Sequence, residues 1–237
     1  MTLRDAWETE AQNWIAWART PGHDSYWRFH RDAFLPSLPP PPCRVVDVGC
    51  GEGRLPRDLK GLGYEVVGVD GSPALIAAAL EADPAGRYEV ADAAALPLPD
   101  ASVDLVTAFM SFQDVDDLDG AVREAARVLA PGGHLRAAIV HPMSSAGDVR
   151  PSAEDDTFEI RGSYLEDRRY SETFERDGLT MTFASQHRPI QRVARAILDA
   201  ALLIDHVAEV EDTGDPPGSL WRRIPPFLHL GAVKPRA

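Results

Sequence analysis

Short apolar runs alternate with helical stretches through the middle of this chain, and no other feature of the sequence constrains the fold as strongly. Buried strands that alternate with helices are typical of βαβ units, in which the strands pair in parallel. Two further apolar runs follow near the end of the 237 residues. We therefore predict a doubly wound, mostly parallel α/β sheet with helices on both faces. Its strands are expected at residues 45–48, 65–70, 88–90, 103–109, 135–141, 204–210 and 227–233.

Residues that favour helix ends lie between these runs. Ser72-Pro73 supplies a side-chain cap and a first-turn proline, and either Asp116 or Asp117 can cap a helix that ends near Leu129. Pro131-Gly132-Gly133 then stops that helix. These local signals agree with the alternating pattern.

The first 42 residues differ in composition from the rest of the chain. They contain four of the five Trp residues and end in the proline run Pro39–Pro42. We interpret residues 1–42 as an N-terminal helical arm, which either closes over the active site as a lid or packs as an ordinary amphipathic helix. Residues 43–237 are expected to form one α/β domain.

The alternating pattern breaks after His141, and the following residues are rich in charged and aromatic side chains. We interpret residues 142–189 as a cap inserted into the domain. Within it, Asp177-Gly178 lies between two strand-like runs, which is a strong signal for a β-hairpin turn. The hairpin is expected either to cover the active site or to form an oligomer contact.

Charge and composition exclude several classes of partner. The formal net charge is −13 with acidic residues scattered along the chain, so nucleic acid is not an expected substrate. No apolar run reaches about 18 residues and the acidic start does not resemble a signal sequence, so we expect a cytoplasmic protein without membrane association. The two cysteines, Cys43 and Cys50, have no second ligand cluster at metal-binding spacing, so no metal site is expected.

A glycine-rich turn, Gly49-Cys50-Gly51-Glu52-Gly53, follows the first buried strand. A P-loop would require Lys and then Ser or Thr after the turn, to contact phosphates and magnesium. A dinucleotide-binding turn would read G-x-G-x-x-G, but Arg54 stands where its third glycine would be. The carboxylates of Asp47 and Glu52 flank the turn, and they favour a ligand with positive charge over one with phosphates.

The segment Val46–Gly53 resembles the first motif of the class I S-adenosylmethionine-dependent methyltransferases, in particular the small-molecule enzymes of the type 11-like group. The segments from Arg44 to His141 are also similar to that family in their order and spacing. The resemblance implies a seven-stranded Rossmann-like sheet whose last strand is antiparallel. It also implies S-adenosylmethionine as the cofactor and S-adenosylhomocysteine as its product.

The resemblance assigns cofactor contacts to residues that match the family's motifs. Asp70 ends the second strand, where the family places an acid on the ribose hydroxyls, and a carboxylate can accept both hydroxyl hydrogens. Asp92 follows the third strand, where the family binds the adenine amino group. Phe109 and Gln113 lie after the fourth strand, where the family's residues flank the transferable methyl. The predicted cofactor-binding residues are Asp47, Gly49, Cys50, Gly51, Gly53, Asp70, Gly71, Ser72, Asp92, Ala93, Phe109 and Gln113.

Residues of the arm and the cap are candidates for an acceptor pocket. Their aromatic content indicates a small molecule that is partly apolar or aromatic. The Trp residues of the arm fit ordinary helix packing equally well, and the histidine of the cap has a surface position as its alternative. The predicted pocket residues are Trp14, Trp17, Tyr170, Phe183 and His187.

His141 ends the fifth strand at the edge where open α/β sheets bind ligands. An imidazole there could accept a proton from the acceptor, so His141 is a hypothetical general base. The alternative is a structural histidine at the end of a strand.

Methyl transfer from S-adenosylmethionine to an oxygen, nitrogen or carbon atom of a small-molecule acceptor is the predicted function. Two alternatives stay open. An NAD-dependent oxidoreductase would also place an acid such as Asp70 on a ribose, although Arg54 and the Asp92 segment argue against it. A non-catalytic module that binds S-adenosylmethionine would keep the same cofactor residues. Either a monomer or a homodimer is expected.

Overall fold

A seven-stranded sheet organises the residues that the computed structural model describes, which are 1–150, 156–212, 214 and 220–236. Among them the strands are β1 (Arg44–Val48), β2 (Glu65–Asp70), β3 (Arg87–Val90), β4 (Val103–Phe109), β5 (Leu129–Val140), β6 (Gly147–Arg150), β7 (Thr157–Ile160), β8 (Arg168–Arg176), β9 (Leu179–His187), β10 (Leu203–Val210) and β11 (Phe227–Val233). The sheet has the order β10-β11-β5-β4-β1-β2-β3. Only β11 is antiparallel to its neighbours within it, so the predicted fold class is confirmed.

Two of the helices begin at a short polar side chain that accepts a hydrogen bond from a backbone amide of the first turn. Ser72 Oγ accepts a hydrogen bond from the Leu75 amide at 3.1 Å, and Asp117 Oδ1 accepts one from the Gly120 amide at 2.8 Å. Both caps lie at positions that the sequence predicts. The helices of the described chain are α1 (Leu3–Arg19), α2 (Arg31–Phe34), α3 (Arg54–Gly61), α4 (Pro73–Ala82), α5 (Leu118–Val128) and α6 (Ile190–Asp199).

Strand β5 begins earlier than the apolar pattern predicts. Helix α5 ends at Val128 and the strand starts at Leu129, so Pro131-Gly132-Gly133 lies inside the strand and not in a separate loop. The Gly132 amide donates to the Lys234 carbonyl at 2.8 Å, and the Lys234 amide donates to the Gly133 carbonyl at 2.9 Å. This pairing with Lys234, directly after β11, extends strand β5 across the two glycines. The local sequence does not indicate it, because Lys234 is far away along the chain.

Two apolar layers cover the sheet, one on each face. Alternate residues of β1 belong to different layers, because Val46 and Val48 contact the cluster that includes α5 and α6, whereas Val45 contacts Leu59 of α3 and its neighbours. Strand β4 is buried along most of its length. A strand with both faces covered reads as a continuous apolar run, as these strands do. No helix of the described residues is long and apolar enough to cross a membrane.

Two antiparallel strand pairs lie in the region between β5 and α6. Strands β6 and β7 form one pair, and β8 and β9 form a hairpin whose turn is Asp177-Gly178. Both turn residues have positive φ, 50° and 78°, as a two-residue hairpin turn requires. Helix α1 packs along β9, where Trp7 Nε1 donates to the Ala184 carbonyl at 3.1 Å. The arm and the hairpin are therefore joined to each other.

A pair of buried histidines connects the N-terminal region to the sheet. His30 Nδ1 and His229 Nε2 lie 2.9 Å apart, and the two residues are 0% and 1% exposed. Rings of Phe109 and Phe227 contact His30. Burial lowers the pKa of His30, and it lowers the pKa of His229 to about 4. Both imidazoles are therefore neutral at pH 7.

We predict that this pair makes the protein less stable in mild acid. The pKa of His229 is lower in the folded protein than its ordinary 6.5, so protonation favours the unfolded chain as the pH falls from 6.5 towards 4. The contribution of His229 to this loss is about 2 kcal/mol between pH 7 and pH 5. Urea unfolding at the two pH values measures it.

His229→Gln is the matched variant, because an amide can keep a hydrogen bond to His30 but does not titrate. Its stability is expected to change less between pH 7 and pH 5 than that of the wild type. An equal change in both proteins would contradict the assignment.

Candidate active site

A cavity of about 890 Å³ opens at the carboxyl ends of β1, β2 and β4. This is the edge at which open parallel sheets bind ligands, and the volume lies within the roughly 300–1,000 Å³ of small-molecule sites. The cavity brings together most residues that the sequence singles out. These are Trp14, Trp17, Asp47, Gly49, Cys50, Gly51, Asp70, Gly71, Ser72, Asp92, Ala93, Phe109, Gln113, Tyr170 and Phe183.

The turn after β1 brings bare backbone to the cavity. Gly49 and Gly51 have φ values of 75° and 56°, which favour glycine. A Cβ on Gly49 would lie 2.3 Å from the Cβ of Ser111, so no larger residue fits there. The Gly49 and Cys50 amides donate to the Val69 carbonyl at 2.7 and 3.0 Å, which holds the turn against the end of β2.

The Asp70 carboxylate connects this turn to the next one. Its Oδ2 accepts from the Gly51 amide at 2.8 Å, and its Oδ1 accepts from the Ser72 amide at 2.9 Å. Two carboxylate oxygens have about four lone-pair directions, so acceptor capacity remains for a pair of ligand hydroxyls. Burial raises the pKa of Asp70, although these amide donors oppose the shift.

Asp47 lies below the turn and has a different environment from Asp70. It is 1% exposed, and Thr107 Oγ1 donates to its Oδ1 at 2.6 Å. Burial raises the pKa of Asp47 to about 7, and the nearby Asp70 carboxylate adds to the shift. A cationic ligand in the cavity would oppose both effects, because opposite charge favours the ionised acid. The acids at this edge therefore suit a positively charged ligand.

Asp92 lies at the far end of the same edge, after β3. Its Oδ1 accepts from the Ala94 amide at 2.8 Å, and Arg4 Nη1 lies 3.8 Å from its Oδ2. The side chain is more than half exposed, so this ion pair is weak. Asp92 and Ala93 are therefore accessible to a ligand once Arg4 moves.

Three predicted site residues do not line the cavity. His141 Nε2 lies 3.1 Å from Glu209 Oε1, while its Nδ1 accepts from the Met143 amide at 3.0 Å. His187 has Ser145 Oγ at 2.8 Å from one ring nitrogen and the Tyr164 carbonyl at 2.9 Å from the other. Both ring nitrogens of each histidine are thus occupied by protein groups. The structure does not support His141 as a base or His187 as a pocket residue.

Gly53 is the third residue outside the cavity. Its φ is 83°, and a Cβ there would lie 2.9 Å from Ala79 Cβ and 3.0 Å from the Tyr88 ring. The glycine allows α3 to begin directly against α4 and β3. Its structural role is close packing and not ligand contact.

Four aromatic rings from the arm and the hairpin meet on one wall of the cavity. The rings of Trp7, Trp14 and Trp17 each contact Phe183 edge-on, with centroids 6.0–6.2 Å apart. The spacing of the Trp residues, at positions 7, 14 and 17, places them on one helical face. Phe109, in contrast, packs mainly against Tyr26, His30 and Phe34.

Asp114 is a cavity residue that the sequence does not identify. Ser185 Oγ donates to its Oδ1 at 2.5 Å, and Gln113 Nε2 donates to its Oδ2 at 3.2 Å. Burial raises the pKa of Asp114 to about 8 against the opposing effects of Ser185, Arg188 and Gln113. Its partner Ser185 lies 71 residues away, so no local motif reveals the pair.

We predict that Gly53→Ala destabilises the fold without weakening ligand binding at this edge. The new Cβ meets Ala79 in a left-handed conformation, so the expected cost is about 2–4 kcal/mol in the free energy of unfolding. Gly162→Ala is the matched control, because its φ is 67° and its Cβ would meet no atom within 4 Å. Chemical unfolding of both variants measures the difference, and equal stabilities would contradict the packing role.

Comparisons with known proteins agree with this geometry. A family model described as a methyltransferase domain matches residues 46–137. The malonyl-[acyl-carrier protein] O-methyltransferase of Enterobacter lignolyticus is 39% identical over 114 residues, which are 48% of this chain and 45% of that protein. The demethylmenaquinone methyltransferase of Thermus thermophilus is 42% identical over 120 residues, 48% of this chain and 54% of that protein. The chain spans about half the length of these curated relatives.

A solved structure extends the likeness beyond the matched segment. The S-adenosylmethionine-dependent methyltransferase of Mesorhizobium loti superimposes with a TM-score of 0.72 at 28% identity, and the match covers 85% of this chain and 96% of that one. The cavity residues fit the cofactor of such proteins, since bare glycine backbone and several carboxyl groups meet at one edge. Residues 46–137 of this chain therefore match a methyltransferase domain, and the fold around them is similar to that of an S-adenosylmethionine-dependent methyltransferase, which supports S-adenosylmethionine as the cofactor.

Proposed function

We propose that this protein transfers a methyl group from S-adenosylmethionine to an oxygen, nitrogen or carbon atom of a small-molecule acceptor. One observation carries the proposal. The glycine turn, Asp70 and Asp92, which together we call the cofactor edge, border a single cavity. This cavity continues to an aromatic wall formed by Trp7, Trp14, Trp17 and Phe183. The cavity therefore has room for two ligands side by side, as a transfer reaction requires.

The residues at the sheet edge would hold the cofactor as follows. Asp70 would accept from the two ribose hydroxyls, and Asp92 would accept from the adenine amino group. The backbone of Gly49 and Gly51 would lie against the amino-acid part. When bound, the cofactor supplies an electrophilic methyl group on a sulfonium centre. The chain's own residues position the two reactants and exclude water, which is where most of the rate enhancement would arise.

Helix α1 would act as a lid over the cofactor. Ser72 Oγ donates to Glu8 Oε2, and the Ala74 amide lies 3.3 Å from the same oxygen. Arg19 Nε lies 3.2 Å from Glu52 Oε2. Trp14 lies over the glycine turn, since a Cβ on Gly51 would be 3.3 Å from its Nε1. One helix thus contacts several loops of the cofactor edge, and we propose residues 1–42 as a closing arm.

The region 142–189 would supply much of the acceptor pocket as a cap. The family match ends at residue 137, before this region begins, so the acceptors of the relatives do not transfer directly to this chain. Malonyl-[acyl-carrier protein] and demethylmenaquinone are the acceptors that the relatives' names give. Phe174 and Phe183 of the hairpin contact each other at 5.8 Å between centroids and line the cavity. We propose an acceptor that is partly apolar or aromatic.

Calorimetry with S-adenosylmethionine and S-adenosylhomocysteine, and with NAD as the control ligand, tests the cofactor assignment. Wild type is expected to bind both adenosyl compounds and not NAD. Asp70→Asn should bind at least tenfold more weakly, because it loses the charge and one of the two oxygens that accept from the Gly51 and Ser72 amides. Asp104→Asn, at the opposite edge beside Arg44, is the matched control and should bind like the wild type. Binding of NAD in place of the adenosyl compounds would contradict the assignment.

The lid makes a separate kinetic prediction. Glu8→Gln and Trp14→Leu should each release S-adenosylhomocysteine at least threefold faster, because each removes a contact between α1 and the cofactor edge. Stopped-flow Trp fluorescence measures the dissociation rate. Thr9→Ala, on the outer face of α1, is the control. Unchanged rates in both test variants would show that α1 is ordinary packing.

A further inference from the structure

A second group of polar side chains lines the cavity away from the cofactor edge. Gln113 and Asp114 come from the turn after β4, while Tyr170 and Ser185 come from the hairpin. Tyr170 and Ser185 are direct partners in the β8–β9 register, and both line the cavity. Glu172 lies two residues farther along the same face and also lines the cavity. We call Gln113, Asp114, Tyr170 and Ser185 the polar subsite.

Gln113 carries a buried acceptor atom without a partner among the described residues. The residue is 8% exposed, and its Oε1 makes no hydrogen bond. The amide orientation is fixed, because Nε2 donates to the Met110 carbonyl at 2.6 Å and to Asp114 Oδ2, both of which are acceptors. Buried polar atoms are normally satisfied and Gln113 lines the cavity, so this unpaired oxygen favours a ligand that reaches it with a hydrogen-bond donor.

Asp114 adds a carboxyl group to the same wall. Its two oxygens accept hydrogen bonds from the Ser185 hydroxyl and the Gln113 amide, and neither of these donor groups carries a positive charge. Arg188, the nearby guanidinium, donates instead to the Phe112 and Val115 carbonyls at 3.0 and 2.6 Å. The subsite therefore offers oxygen acceptors and a group that can take up a proton.

The arginines that line the cavity all have acceptors of their own. Arg176, on the exposed part of the hairpin, donates to the Gly22 carbonyl at 2.6 Å. A carboxylate ligand at the polar subsite would face the carboxyl groups of Asp114 and Glu172, while the nearby Arg188 guanidinium already donates to two backbone carbonyls. The other arginines are paired as Arg4 with Asp92, Arg28 with Asp212 and Arg54 with Asp24.

We propose that the polar subsite binds the nucleophile of the acceptor and that this nucleophile carries a hydrogen, as a hydroxyl or an amine does and a carboxylate does not. This inference rests on the proposed methyl transfer and narrows its substrate class. The aromatic wall of Trp7, Trp14, Trp17 and Phe183 lies beside the subsite and suits the apolar part of such a molecule.

The protons and electrons of the transfer balance with these groups. The lone pair of the acceptor oxygen or nitrogen forms the new bond to the methyl carbon, and the carbon–sulfur bond breaks with its electron pair staying on sulfur. The hydrogen of the nucleophile leaves as a proton to Asp114 in its ionised form, either directly or through Ser185, whose hydroxyl gives its own proton to Asp114 and takes the one from the nucleophile. Gln113 Oε1 accepts a hydrogen bond from the nucleophile and orients it.

The experiment uses the full chain loaded with S-adenosylhomocysteine and a panel of matched aromatic fragments. Each ring in the panel carries a hydroxyl, an aminomethyl or a carboxylate group, so only the polar group changes. Thermal shift and ligand-observed NMR measure binding, and turnover of S-adenosylmethionine on the same fragments is measured in parallel. The variants are Gln113→Met and Ser185→Ala, with Glu209→Gln, outside the cavity, as the control.

Hydroxyl or amine fragments are expected to bind at least tenfold more tightly than their carboxylate counterparts, and comparing the two arms shows which nucleophile is preferred. Gln113→Met and Ser185→Ala should each weaken that binding at least fivefold, and Ser185→Ala should change S-adenosylhomocysteine affinity less than twofold. Equal or tighter binding of carboxylates, no binding of any hydroxyl or amine, or unchanged binding in both variants would overturn the proposal. So would a loss of S-adenosylhomocysteine affinity in Ser185→Ala. Failure of the wild type to bind S-adenosylhomocysteine would instead contradict the proposed function.

Discussion

The Asp70 carboxylate is the interaction on which the geometry of the cofactor edge depends. By accepting from the amides of Gly51 and Ser72, it fixes the turn after β1 relative to the turn after β2. Charge-assisted hydrogen bonds to backbone amides are short and directional, so they hold these two loops in a fixed position relative to each other. Ser72 in turn caps α4 and contacts Glu8 of α1. Helix α4, the glycine turn and helix α1 are therefore connected through Asp70 and Ser72.

Buried carboxyl groups are the second constraint on the site. Asp47, Asp70 and Asp114 all have raised pKa values because burial disfavours their charge. A cationic ligand in the cavity would lower these pKa values, because opposite charge favours the ionised acid. A sulfonium cofactor would do so near Asp47 and Asp70, and the release of its charge on transfer would reverse the effect. The same field disfavours anionic ligands.

Much of the sheet and the cofactor edge could be predicted because their signals are local. Each feature of the cofactor edge lies at or just after the end of a strand: the glycine turn, Asp70 and Asp92. The Asp177-Gly178 pair likewise predicts the hairpin turn from two adjacent residues. The pairing of His141 could not be predicted, since its partner Glu209 comes from β10, two strands away in the sheet. Asp114 and Ser185 meet only through tertiary packing. Gly53 lies outside the cavity lining, and the sequence could not show this because close packing and ligand contact both favour glycine.

Alternate residues of strand β8 in the hairpin face opposite sides, so one set faces the cavity and the other faces away from it. Tyr170, Glu172, Phe174 and Arg176 all lie on the cavity side of β8, while the residues between them lie on the other side. Alternate positions can therefore diverge in evolution and change what the protein accepts, with the cofactor edge left intact. An insertion of one residue in β8 would exchange the two faces at once. Within the family, we expect such hairpins to vary in sequence far more freely than in length.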